Sequence, residues 1–425
     1  MIKITQNNRR LPIFFVGAAL CFVILFSLHT YYPNIRLQEY QESMGFTHFY
    51  DESKAREWLE LQNAFDVNIS GSESISRGKP LAKEWRPYVE ELFERLPSNF
   101  SSSHRNPCWY EDGTLRCLPY FYQLGSYKCG TTDLWDKVVQ HPHVIRVAKE
   151  PHWWAWRRFG YTSLPIHRDL VLKIRNITGD RDDHSLQWYL NLYSYQATEA
   201  IRQNRKLVFG DASISNLWGL GDYVWEKKFP ALEEPPFFLA SVIRTFQPNA
   251  KITAILRDPV EKLWTTYMLG DRYKKMSFKK HFENLLKASA ACEKKHSFKY
   301  CAFMYRNFPS SILSNHLYQG IYYVYLKEWV DAFGADNIHV ITLEDWKNDT
   351  VSELNSVFQY LDLDPLPKET MASIVERSAK NVNKKAKSRN MVMSQQMRRR
   401  VKSFYRPWNE KLVELLGDQK FMWGY

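Results

Sequence analysis

Acidic residues are the minority charge in this 425-residue chain, with 46 Asp and Glu against 58 Lys and Arg and a formal net charge of +12. That excess points to an anionic partner: a nucleic acid, an acidic glycan, a phosphorylated or sulfated small molecule, or membrane lipid. Cysteine is scarce too. The six cysteines form no CxxC pair and no cluster of histidines accompanies them, so metal ligation is the weaker use for them. There is no internal repeat, heptad run or low-complexity tract, which excludes a solenoid or a long coiled coil. A mean hydropathy of −0.47 excludes a polytopic membrane protein. What is abundant is core material: 44% hydrophobic and 15% aromatic residues exclude disorder and leave room for a substantial folded domain.

One long apolar run does occur. Leu11 to Leu28 carries no charge, and at about 1.5 Å per residue a helix of that run, extended to Tyr32, spans a bilayer. Lys3, Arg9 and Arg10 precede it, whereas Arg36 beyond it is balanced by Glu39 and Glu42, so the positive-inside bias predicts a cytoplasmic tail over residues 1–10. A cleaved signal peptide is the alternative, but the run ends in His29-Thr30-Tyr31-Tyr32 rather than in small residues. The reading is a transmembrane signal anchor over 11–32, a stem and entry segment over 33–105 with a helical stretch around Trp85 to Leu96, and a lumenal domain over 106–425. An oxidising lumen suits disulfides Cys108–Cys117 and Cys292–Cys301, and sequons at Asn68, Asn99, Asn176 and Asn348 suit glycosylation. These features conflict with the nucleic-acid reading of the charge, so no nucleic-acid partner is expected.

From about Asn106, short apolar runs alternate with helical patterns. The runs at 119–124, 206–210, 251–256 and 337–343 read as buried parallel strands, and the stretches after the first and third and before the fourth read as helices, as a parallel α/β sheet requires. The basic stretch from Lys380 to Arg400 reads as a solvated face.

The first strand runs into Gly125-Ser126-Tyr127-Lys128-Cys129-Gly130-Thr131-Thr132 and then a helix. Glycine permits a tight turn, loop amides and the helix start point at one anion, and Lys128 with the threonine hydroxyls adds charge and donors. Lys128 precedes the second glycine, so this is not the GxxxxGK[ST] arrangement of a nucleotide kinase. The third strand closes on Arg257-Asp258-Pro259, with Thr265 about two turns into the next helix. An Arg at a strand's C-terminal edge sits where open α/β sheets bind ligands, although an Arg-Asp pair before a Pro is often a structural lock.

Together these two segments resemble the Golgi carbohydrate sulfotransferases that use 3′-phosphoadenosine 5′-phosphosulfate (PAPS). KEPHWW, GDASISNLW, FQPNAKITAILRDPVEKLW and FYRPWNEKL further resemble, in order, the branch that 6-O-sulfates N-acetylgalactosamine 4-sulfate in chondroitin sulfate. The resemblance implies an α/β, P-loop-like sulfotransferase fold with a central parallel sheet flanked by helices. It implies PAPS as co-substrate and no metal. It places the 5′-phosphosulfate on Ser126, Lys128, Cys129, Gly130, Thr131 and Thr132, with Lys128 stabilising the leaving phosphate, and the 3′-phosphate on Arg257 and Thr265. Glu150 is implied as general base, and His152 orients the acceptor or serves as an alternative base. Trp153 offers either a sugar-stacking face or core packing. Arg157 and Arg158, with Arg168, Lys173 and Arg175, supply cation density for an acidic chondroitin or dermatan sulfate acceptor. A Golgi membrane location follows from the same resemblance. Two alternatives remain: a sulfotransferase for another glycan or hydroxyl, and an inactive glycan-binding membrane protein.

Overall fold

A computed structural model describes residues 80–159, 184–193, 197–219, 232, 235, 237–269, 276–303, 316–380 and 392–425. The expected anchor, most of the stem, Asn68, Asn176, Arg168, Lys173 and Arg175 lie outside the described residues. Among the described residues no helix is long and apolar enough to cross a membrane.

The described elements all belong to one compact unit, Ile75–Tyr425. It opens with an antiparallel hairpin, β1 (Cys108–Glu111) and β2 (Thr114–Cys117), which pairs Cys108 with Cys117. Asp112 and Gly113 make the turn with φ of 48° and 77°. Asp-Gly is the residue pair such a two-residue turn favours, so this hairpin had a local signal that the strand search passed over. Disulfides join Cys108 to Cys117 and Cys292 to Cys301, and Cys129 is free and buried.

The main sheet contains β3 (Phe121–Gln123), β4 (Gly210–Asp211), β5 (Lys251–Leu256) and β6 (Ile338–Thr342), in the order β4-β3-β5-β6. All three pairings are parallel. The runs at 119–124, 251–256 and 337–343 hold strands, with β5 covering the whole of KITAIL, whereas the run at 206–210 gives an isolated bridge at Val208 and its strand β4 falls at Gly210–Asp211. Ile252 to Leu256 are all buried, with no alternation, because helices cover both faces of a parallel sheet. The chain leaves β3 for β4 on one side and returns to β5 on the other. That reversal opens a crevice at the C-terminal ends of the strands.

Helices follow the strands as the patterns predict: α1 (Thr131–Val138) after β3, α2 (Pro259–Tyr267) after β5 and α3 (Tyr322–Phe333) before β6. The long α4 (Gln395–Leu416) buries Met397, Val401, Tyr405, Trp408 and Leu412, one stripe at helical spacing, and packs on α3. Its basic start is partly paired, with Arg398 2.5 Å from Glu261 and Arg400 3.3 Å from Glu283.

The stretch from residue 80 to 105 packs against the domain that follows it. A 3₁₀ turn over Lys83–Val89 and a helix over Glu90–Arg95 are built into the core, where Val89, Leu92 and Leu96 are buried and Phe93 packs edge-on against Phe246. Leu81 N–H donates to Thr245 Oγ1 at 2.8 Å, and Arg95 donates to Gln187 at 2.6 Å. The polar texture of this stretch reflects its outer face and conceals the three buried aliphatics. Leu92→Ala is expected to cost about 2–5 kcal/mol through the cavity it leaves, read as a lower urea midpoint. Removal of residues 80–96 is expected to unfold the domain rather than trim a stem, checked by loss of cooperative unfolding.

Candidate active site

Past the end of β3 the ladder to β5 continues into the loop. Leu124 N–H donates to Thr253, Ser126 N–H to Ile255, and Ile255 N–H back to the Gly125 carbonyl, each at 2.8 Å. The loop is thus held in register with the strand that carries Arg257. Gly125 has φ of 129°, Lys128 64° and Gly130 89°. A Cβ on Gly130 would also sit 2.7 Å from Leu343 Cδ1, so sterics and backbone both require glycine there. Gln123 Nε2 donates to the Thr131 carbonyl at 2.9 Å and fixes the start of α1, whose first N–H groups face the crevice end of the sheet. Burial lowers the Lys128 pKa, and the Glu150 carboxylate partly opposes that shift.

On the neighbouring strand end, Arg257 Nη1 donates to Thr265 Oγ1 at 2.8 Å and reaches the Lys128 carbonyl at 3.5 Å. Asp258 is the structural half of the pair: it caps α2 by accepting from Val260 N–H at 2.8 Å and is held by the Tyr425 hydroxyl. Tyr322 of α3 donates to the Arg257 carbonyl at 2.8 Å. Three polar atoms around this shelf are buried without a hydrogen-bond partner: Ser126 Oγ, Arg257 Nε and Lys262 Nζ. Buried orphan donors call for a ligand to satisfy them, and these suit a phosphate-bearing anion. Among the described residues no group of three or more His, Cys, Asp or Glu side chains is placed to hold a metal.

Glu150 arrives by a different route. The segment before it runs along the outer edge of β4, with a parallel bridge between Val144 and Val208 and Ala212 N–H donating to the Lys149 carbonyl at 2.9 Å. Burial alone would raise the Glu150 pKa, but the hydrogen bond from His152 and the charges of Lys149 and His152 outweigh it and bring it to about 2. Lys149 Nζ pairs with Glu150 Oε1, and His152 Nε2 lies 3.5 Å from Glu150 Oε2. His152 is itself fixed: its N–H donates to Ser213 Oγ at 2.9 Å, its Nδ1 lies 2.7 Å from Ser215 Oγ, and its ring stacks on Trp156. With its carbonyl bonded to Ala212, Lys149 is held at the end of β4, the strand beside β3, so Glu150 lies at the same end of the sheet as the loop that follows β3.

A family model for the sulfotransferase domain matches residues 124–408, which takes in the loop, Glu150 and the Arg257 shelf. The chain belongs to the sulfotransferase domain family. Membership implies PAPS as the sulfo donor. Among relatives, this sulfotransferase is 28% identical over 410 residues to carbohydrate sulfotransferase 15 of Homo sapiens, covering 83% of this chain and 70% of that one. It is 26% identical over 448 residues to carbohydrate sulfotransferase 15 of Mus musculus, covering 92% and 76%. The crystal structure of a sulfotransferase from Alicyclobacillus acidocaldarius overlays with a TM-score of 0.46 at 21% identity, over 72% of this chain and 99% of that one.

Three residues expected on the acceptor side of this sulfotransferase are placed elsewhere. Trp153 is fully buried, stacked on Tyr189 at 4.6 Å, with its ring N–H donating to the His184 carbonyl, and so has no face for a sugar. Trp154 is equally buried and donates to the Tyr189 hydroxyl at 3.0 Å. Arg157 is 1% exposed and donates to the Pro151 carbonyl, while the Arg158 side chain is 3% exposed and pairs with Glu91 at 2.6 Å. These arginines fasten the turn after Glu150 to the core and to the early helix. Sequence reasoning also missed Ser215, Tyr322 and Lys262. Of these, only Lys262 had a local cue, standing three residues before Thr265 and so on the same helical face. Trp153→Ala is expected to lose about 3–5 kcal/mol of stability, read as a lower urea midpoint. A variant of unchanged stability with selective loss of acceptor affinity would return Trp153 to the acceptor surface.

Proposed function

We propose that the protein transfers a sulfo group from PAPS to a hydroxyl of an acidic glycosaminoglycan, namely C6 of N-acetylgalactosamine 4-sulfate in chondroitin or dermatan sulfate. The observation that carries the reading is that the Lys128 loop, the Arg257–Thr265 pair and Glu150 all follow the same end of the sheet. The kinship to carbohydrate sulfotransferase 15 supports a glycan acceptor. Bound PAPS supplies a sulfo group already bonded to a phosphate that leaves.

Ser126 to Thr132 cradle the 5′-phosphosulfate, and Lys128 neutralises charge that grows on the departing phosphate. Arg257 and Thr265 hold the 3′-phosphate and so set the donor's register along the crevice. Glu150 takes the acceptor proton as the hydroxyl oxygen bonds to sulfur and the sulfur–phosphate oxygen bond breaks, releasing adenosine 3′,5′-bisphosphate. His152 orients Glu150. With a pKa of about 2, set first by the His152 hydrogen bond and next by the Lys149 charge, the carboxylate stays ionised but is weakly basic. An anionic acceptor group that draws the Lys149 ammonium away raises that basicity, which couples the base to an acidic substrate.

A Golgi membrane location, with a single N-terminal span and the catalytic domain in the lumen, accompanies this function. Asn99 and Asn348 are exposed and open to glycosylation there. Labelled PAPS incubated with the protein and a panel of desulfated and sulfated glycosaminoglycans, followed by disaccharide analysis, tests the proposal. Label at C6 of 4-sulfated N-acetylgalactosamine is expected. Label at another position or on another glycan moves the acceptor assignment, and binding of glycan without transfer points to an inactive binding protein. Lys128→Ala and Glu150→Gln are each expected to lower kcat at least about 100-fold with unchanged urea midpoints. Near-normal turnover in either variant removes that residue from the mechanism.

A further inference from the structure

Lys262 is 0% exposed, and its ammonium has no hydrogen-bond partner. It lies on α2 between Arg257 and Thr265, the pair that closes the shelf. Three residues before Thr265, it leaves α2 on the helix face that meets Arg257, and the ionisable groups that act on it are the Arg257 guanidinium and the Cys129 thiol of the loop. The hydroxyl of Tyr322 comes from α3 to the same place, 3.5 Å from Cys129 Sγ and 2.8 Å from the Arg257 carbonyl. Nearby carboxylates are engaged elsewhere: Glu261 with Arg398 at 2.5 Å and with Arg257 at 3.9 Å, and Asp258 with Val260 N–H and Tyr425. An ammonium taken out of water with no counter-charge is a liability for the fold alone. It becomes favourable only when an anion completes the site.

We infer that Lys262 is a further donor-binding residue, a third cation beside Lys128 and Arg257 that takes a phosphate of the nucleotide from beneath the loop. The inference rests on the donor-site reading above. Burial, and secondarily Arg257, lower its pKa to about 8 although Cys129 opposes them. A bound phosphate favours the charged form, so donor binding near pH 8.5 takes up a proton at Lys262. Nucleotide phosphates are already fully ionised at that pH and do not supply the signal.

Calorimetry with adenosine 3′,5′-bisphosphate tests this on the full chain. Lys262→Met is expected to weaken binding at pH 7 at least about tenfold, while the ligand-free thermal midpoint holds or rises because an uncompensated buried charge is gone. At pH 8.5, in buffers of different ionisation heat, the wild-type protein is expected to show proton uptake. That uptake should survive Lys128→Ala and vanish in Lys262→Arg, whose side chain stays charged. Affinity of Lys262→Met within twofold of wild type overturns the inference. Should that variant not fold, the absence of uptake in the wild type, or its persistence in Lys262→Arg, overturns it equally. A wild-type protein that fails to bind the bisphosphate at all overturns the donor-site reading as well.

Discussion

The site depends on one run of hydrogen bonds. The β3–β5 ladder does not stop where the strands stop but continues through Leu124, Gly125 and Ser126 against Thr253 and Ile255. A loop that binds an anion through backbone amides is only as well placed as its backbone. Coupling it to β5 fixes it relative to Arg257, the residue at the end of that same strand. Arg257 returns the constraint by reaching the Lys128 carbonyl and Thr265. The Lys128 loop and Arg257, more than a hundred residues apart in sequence, are thereby separated by one strand spacing.

Glu150 has a different kind of support. It sits on irregular backbone, and rigidity comes from the buried network behind it. Asp211 accepts from Tyr189 at 2.9 Å and from Ser213 N–H at 2.8 Å, Ser213 accepts from His152 N–H, and Trp154 donates to Tyr189. Burial raises the Asp211 pKa, although its hydrogen bonds oppose that shift. The side-chain polar atoms of Asp211, Ser213, Tyr189 and Trp154 named here are all hydrogen-bonded, the condition under which a buried polar network specifies one geometry rather than weakening the fold. The tryptophans therefore act from below, by fixing the backbone on which Glu150 and His152 ride.

Much of the sheet was legible because buried parallel strands are continuous apolar runs; KITAIL shows it most cleanly, and Tyr322–Phe333 shows the same for a helix of strong period. The donor loop was legible for a local reason: its glycines, lysine and threonines act within eight consecutive residues. The hairpin at Asp112–Gly113 was written just as locally and was passed over. The helical stretch around Trp85 to Leu96 was legible as helix, while the burial of Val89, Leu92 and Leu96 was not, since its outer face is polar. Trp153, Arg157 and Arg158 stayed ambiguous in sequence because large aromatics and arginines serve either in a core or on a binding face, and composition does not distinguish those uses.

The amino-acid sequence by itself determined the family, the strand and helix content, the anion loop and the Arg257 turn, all of which depend on neighbours within a few residues. Tertiary structure alone decided strand order, the encounter of Lys128 with Arg257 and Glu150, and which basic side chains face solvent. It also decided that Lys262 is buried without a partner. Burial and pairing are properties of surfaces brought together from distant parts of the chain, and no local pattern records which charge will meet its counter-charge there.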